Sequence, residues 1–207
     1  GMLGVPKSTE MSKQLPKKAV YAKFHLNTAA KEKIDSDISK ITIVNEMKPD
    51  KIHVPAGEQV SSIFVLHVML KRGEFDVKTI ETLSKLIPQN ILFVLEYEGK
   101  SKLAIYHINL LQTDWQPMDQ CHVELRGLSF DKIWENLICD IGGLSLKAGN
   151  TLDKQILAEA QKQKLVKEIA RLEKQARTER QPKKKFEMVQ RMRMYQKKME
   201  EIDGTGQ

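Results

Sequence analysis

The chain predicts an α+β fold: an antiparallel or mixed sheet packed with helices, followed by a C-terminal basic helical hairpin or coiled coil. Three observations carry that prediction. Short β-rich runs alternate with helical stretches as far as the Gly142-Gly143 pair, and the composition then changes at Thr151. Charge divides at the same place: residues 1–150 hold 19 Lys+Arg against 18 Asp+Glu, whereas residues 151–207 hold 15 against 9. The segmentation is therefore an α+β domain over 3–147 and a helical appendage over 151–203. At about 145 residues, the first part can bury enough surface to fold on its own.

Within that first part, "AVYAKFHL" (19–26) alternates apolar and polar residues, which predicts a strand with one buried face. "NTAAKEKIDSDI" (27–38) predicts a helix with Asn27 or Thr28 as its N-cap. "SKITIVNEM" (39–47) is β-branched and strand-like, and Pro49, Pro55 and Gly57 mark the loop after it. The long apolar run "VSSIFVLHVMLKR" (60–72) fits an interior strand. Asp76 can cap the next helix, where Val77, Ile80, Leu83, Leu86 and Ile87 share a face and Pro88 ends it.

"NILFVLEY" and "SKLAIYHINL" are two β-rich runs joined through Glu98-Gly99-Lys100, with Gly99 supplying the freedom of a tight turn. "TDW" and "HVEL" suggest short strands, with Gln116-Pro117 between them. "SFDKIWENLICDIGG" (129–143) is helical, with Phe130, Ile133, Trp134, Leu137, Ile138 and Ile141 on one side and Gly142-Gly143 at its end. The N-terminal "PKSTEMSKQLPKK" is polar and twice interrupted by proline. It reads either as a flexible arm, in which Lys13, Lys17 and Lys18 extend a basic surface, or as an extended segment clamped on the domain.

From Thr151 to Arg180 the chain lacks Pro and Gly and is dense in strong helix formers. Leu165, Ile169, Leu172 and Ala176 form a narrow apolar seam, and beyond Pro182 the stripe Met188, Met192, Tyr195, Met199 and Ile202 repeats its spacing. Seams this narrow suit a coiled coil rather than a globular core. The residue before Pro182 disfavours helix, so a hairpin closing near residue 181 is preferred to a kinked rod. Opened out, the same stripe would make a homodimer.

Several functions are disfavoured. No apolar run reaches the ~18 residues of a membrane span, and no apolar signal core follows the basic N-terminus, so a soluble cytoplasmic protein is expected. Gly1 before Met2 reads as a tag scar. Cys121 and Cys139 make neither a disulfide framework nor a CxxC pair. His25, His67 and His107 lie far apart in the chain, and Cys121-His122 on a strand would face opposite sides, a poor chelate. There is no Gly-rich phosphate loop, nucleophile elbow or HExxH, so neither cofactor nor metal is expected. Glu98-Gly99-Lys100 resembles half of a nuclease Glu-x-Lys site, but that site needs both side chains on one strand face, and a turn removes this alternation. Glu96, Glu98, Lys102 and Asp114 are the nearest approach to a catalytic set.

Arg177, Arg180, Lys183, Lys184, Lys185, Arg191 and Arg193 cluster around the expected hairpin tip. They could neutralise phosphates in a sequence-blind, salt-sensitive manner, or form a solvated coiled-coil face.

"LGVPKSTEMSKQLPKKAVY" (3–21), "IPQNILFVLEYEGKSKLAIYH" (87–107), "TDWQP" (113–117) and "LSFDKIWENLICDIGG" (128–143) together resemble a bacterial family catalogued as domain of unknown function 4391. The likeness spans residues 3–202. The resemblance implies a setting near helicases and DNA methyltransferases, in loci like those of restriction or phage-defence systems. It assigns no catalytic residue. The expectation is a non-enzymatic accessory protein that docks a larger partner, such as a helicase or methyltransferase, and touches nucleic acid or a second copy through its basic end. The alternatives are a cryptic metal-dependent nuclease and a purely structural coiled-coil protein.

Overall fold

The structure is a computed structural model that describes residues 2–145 and 151–205. The chain divides into two compact units, Gly1–Leu144 and Ser145–Gln207. The expected change of domain between residues 147 and 151, like the expected tag scar at Gly1, falls outside the described residues.

In the first unit the elements run β1 (Glu10–Gln14), α1 (Lys17–Phe24), α2 (Thr28–Asp37), β2 (Ile38–Met47), the single turn α3 (Pro49–Ile52), β3 (Ile63–Leu70), α4 (Val77–Leu83), β4 (Asn90–Tyr97), β5 (Lys100–His107), β6 (Asn109–Gln112), β7 (Gln116–Pro117) and α5 (Phe130–Gly142). The second unit holds α6 (Leu152–Thr178) and α7 (Pro182–Thr205). The strands form one mixed seven-stranded sheet in the order β1-β2-β3-β4-β5-β6, with β7 also on β5. Among the described strands only β3 and β4 pair in parallel, joined through α4; every other strand pair is antiparallel.

Strand alternation divides the core between the two faces of the sheet. Ile41, Ile43, Leu66, Val68, Ile91, Phe93 and Leu95 pack in one cluster with Val20 of α1, Ile34 of α2 and Ile80 and Leu83 of α4. The intervening Val65, Leu92, Val94, Leu103 and Ile105 are also buried, and α5 packs against β5 and β6 with Phe130, Ile133, Leu137 and Ile138 enclosed.

Two carboxylates fix the connections. Asp37, fully buried, accepts from Arg72 Nε at 2.6 Å and from the Asp76 backbone N–H at 2.9 Å, holding the β3–α4 link to the start of β2. Asp131, at the start of α5, accepts from the backbone N–H groups of Glu58, Gln59 and Val60 at 2.7–3.2 Å. A Cβ on Gly57 would lie 2.1 Å from the Asp131 carboxylate, so only glycine lets this loop come so close.

The segment 19–26 is not a strand. It belongs to α1, which starts after Pro16, whose φ of −64° leads into the first turn, and ends at His25 in the left-handed region. The residues that touch the core are Val20, Tyr21 and Phe24, a helical spacing that the alternating pattern concealed. "HVEL" is not a strand either: His122 makes an isolated bridge to Leu3. "TDW" lies between β6 and β7, and Gln116-Pro117 is itself the short strand. The N-terminal segment takes the clamped form, with β1 paired to β2 and Thr9 Oγ1 accepting from the buried Asn45 amide at 3.0 Å.

Removing the Asp131 carboxylate should be costly. We expect Asp131→Ala to destabilise the first unit by about 1.5–3 kcal/mol, because three N–H groups lose a charged acceptor. Urea denaturation followed by tryptophan fluorescence measures this, and a change within ~0.5 kcal/mol would show that water replaces the carboxylate without loss.

Candidate functional site

Helices α6 and α7 pack on each other as a hairpin. Thr151 caps α6, its hydroxyl accepting from the Lys154 N–H at 3.2 Å. α6 stops at Thr178 because Glu179 is extended, and Glu179 Oε1 then accepts from the Gln181 N–H at 3.0 Å ahead of Pro182. Lys162 Nζ meets Asp203 Oδ1 at 2.8 Å across the two helices, which sets their antiparallel register. That carboxylate holds the Lys162 ammonium pKa above its ordinary value.

Along the seam, Leu172 and Ala176 are buried, and Leu165, Ile169, Met188, Met192, Tyr195 and Met199 are half-buried. Two antiparallel helices bury only a stripe, so the rest of each surface is open to solvent.

Charge is segregated along this hairpin. Residues 174–198, which include the tip, carry 10 Lys+Arg and 2 Asp+Glu. The remainder of 151–207 carries 5 and 7. Arg177 is paired to Glu173 at 2.7 Å within α6. Arg180, Lys183, Lys184, Lys185, Arg191 and Arg193 are exposed and enter no ion pair among the described residues. Six cations at one end of a hairpin, against Glu179 and Glu187 alone among its acidic residues, draw solution counterions or an anionic ligand. Phe186 stands among them, 62% exposed. Composition alone finds the cations, but it does not find an aromatic ring left in solvent beside them.

Elsewhere the structure separates what a catalytic reading would need together. Glu98 and Gly99 have φ of 48° and 77°, the two-residue turn between β4 and β5, with Tyr97 paired to Lys100. Glu98 and Lys100 are exposed at the hairpin tip, so the Glu-x-Lys is a turn. Glu96 lies on the opposite sheet face from Lys102 and hydrogen-bonds His67 Nε2 at 2.6 Å across the parallel strands. Lys102 stacks over Trp115, 4.8 Å from the ring centroid, and near Phe75; burial lowers its pKa, partly offset by Asp114. His25 caps α1 and His107 ends β5. Cys121 is buried and Cys139 half-buried, and burial raises both thiol pKa values. Among the described residues, no group of three or more His, Cys, Asp and Glu side chains is placed to hold a metal ion.

Sequence reasoning also missed a cleft of about 480 Å³ between α5 and the segment 122–126. Its polar wall includes His122, Glu124, Arg126 and Asp140, with Arg126 Nη2 at 2.7 and 2.8 Å from the two Asp140 oxygens. That pairing raises the Arg126 pKa and occupies the guanidinium within the chain. Nothing in the local sequence signals the cleft, because it forms only when 113–126 folds back over 137–141.

Comparison with protein families gives a match to Domain of unknown function (DUF4391) over residues 3–199. The chain belongs to the DUF4391 family. The match runs through the sheet unit and nearly the whole hairpin, so the basic tip lies inside the DUF4391 region. No curated protein and no solved structure matches the chain. Among the described residues, no helix is long and apolar enough to cross a membrane.

The seam makes the hairpin testable. Met192→Glu places a charge against α6, so the helical thermal transition followed by circular dichroism should fall by several degrees, while the mass in light scattering stays that of the wild type. A change in mass instead of stability would mean that the stripe joins two copies.

Proposed function

We propose that this DUF4391 protein is a non-enzymatic accessory factor whose basic hairpin tip binds nucleic acid without regard to sequence, while its α+β unit docks a larger protein. The observation that supports this best is the group of six exposed, unpaired cations at residues 180–193, next to a hairpin base that carries more acidic than basic residues. These side chains would replace the condensed counterions of the nucleic acid, so affinity comes from counterion release and falls steeply with salt. The tip presents Lys and Arg without the Asn, Gln and Arg spacing of a base-reading helix, which suits contact with the backbone alone.

A DNA-processing or defence setting, with a helicase or methyltransferase as the docked partner, is the context that the family resemblance implies, and it agrees with a phosphate-binding tip. The cytoplasm is the compartment where such a partner would be met. A coiled-coil scaffold needs only the seam and has no use for the unpaired cations; a nuclease would hold its substrate with such cations but would need converging carboxylates as well.

The test is a salt titration of DNA binding by the intact chain and by the Lys183→Ala/Lys184→Ala/Lys185→Ala variant. Three consecutive helical positions are about 100° apart, so two of them can face one ligand. The slope of log K against log salt should shrink by about 2 in the variant, at roughly 0.9 for each phosphate that is no longer neutralised. An unchanged slope would move the binding surface away from the tip. Absence of binding by the wild type at low salt would end the nucleic-acid reading and favour the scaffold.

A further inference from the structure

Phe186 is the feature of the tip that phosphate binding leaves unexplained. At 62% exposure, most of its ring stands in solvent. Its place on α7 is informative. At about 100° per residue, Lys183, Phe186, Gln190, Arg193 and Lys197 fall in one stripe, and that stripe lies opposite the seam residues Met188, Tyr195 and Met199. All five stripe residues are exposed. The result is a ridge roughly 21 Å long at 1.5 Å per residue, with cations at its ends and a bare ring between them.

The ring cannot serve a phosphate, since it offers no hydrogen-bond donor. On a duplex it would rest against sugars and phosphates while the π-faces of the bases remained stacked on each other. Unpaired bases, by contrast, present free faces on which an aromatic side chain stacks whatever the sequence. A membrane surface is a poorer fit. An interfacial helix needs a broad apolar face, and the apolar side of α7 is already spent on the seam, leaving only Phe186 and Met194 prominently exposed.

We infer that the α7 ridge selects single-stranded over duplex nucleic acid, with Phe186 stacking on an unpaired base while Lys183, Arg193 and Lys197 track the flanking phosphates. This inference rests on the proposed phosphate-binding role of the tip and adds the class of strand that it takes.

The experiment compares the full-length wild type, Phe186→Ala and Phe186→Trp. Fluorescence anisotropy measures their binding to a labelled mixed-sequence single-stranded oligonucleotide of about 20 bases and to its duplex, and co-sedimentation measures their binding to phosphatidylserine vesicles. Wild type should prefer the single strand. Phe186→Ala should weaken single-strand binding about 5- to 150-fold, the equivalent of ~1–3 kcal/mol for one stacked base. Its duplex affinity and salt slope should stay as they were, and Phe186→Trp should keep the preference. Equal loss on both DNAs, or no loss on the single strand, would overturn the inference while leaving the phosphate-binding reading in place. Loss confined to vesicles would overturn it in favour of a lipid surface. Failure of the wild type to bind either DNA at low salt would overturn both.

Discussion

Strands β3 and β4 run parallel in the middle of the sheet, and a parallel pair cannot be closed by a tight turn. The chain must leave the sheet, cross over it and return, and the crossover here is α4. That obligation explains most of the first unit. Once α4 lies on one face, α1 and α2 complete the same layer around Phe93 and Leu66, and α5 covers the other face around Ile105 and Leu103. Residues of β3 and β4 on both faces are thus enclosed, as their nearly continuous apolar sequence requires.

The crossover and the long β2–β3 loop carry backbone groups that the sheet does not satisfy. Asp37 and Asp131 supply the acceptors, one buried at the end of α2 and one at the first turn of α5. Both carboxylates are committed to backbone N–H groups, Glu96 is committed to His67, and Asp140 to Arg126. These four carboxylates of the sheet unit hold segments of the chain together. The dense cluster of unpaired cations lies on the hairpin, where a narrow seam leaves the long side chains of α7 in solvent.

What was legible in the sequence follows the range of the interactions involved. The β4–β5 hairpin could be read because its turn needs only Glu98-Gly99, and α5 because six apolar residues recur at helical spacing with glycines at the end. The α6–α7 seam could be read for the same local reason. The α1 segment misled because it is a helix of eight residues in which Val20 is the only residue fully buried, so its alternating polarity carried no information about a sheet. The break at Ile108, with φ of 67°, was invisible in an unbroken β-rich run and separates β5 from β6. The cationic cluster was visible as composition. Its freedom from ion pairs was not, because Glu173 takes Arg177 and leaves its neighbours unpaired, which depends on side-chain reach in the folded hairpin. The Arg126–Asp140 cleft depends on contacts between distant segments, and no local pattern announces those.

If the hairpin tip, rather than the sheet unit, meets the ligand, bound nucleic acid covers the lysines of the tip. Lysine-reactivity footprinting of the full-length protein tests it most directly, by acetylation with and without a saturating single-stranded oligonucleotide and mass-spectrometric readout. Lys183, Lys184 and Lys185 should lose reactivity on binding, while the exposed Lys13, Lys18, Lys40 and Lys85 of the sheet unit keep theirs. Protection of the sheet-unit lysines with an unchanged tip would contradict binding at the tip.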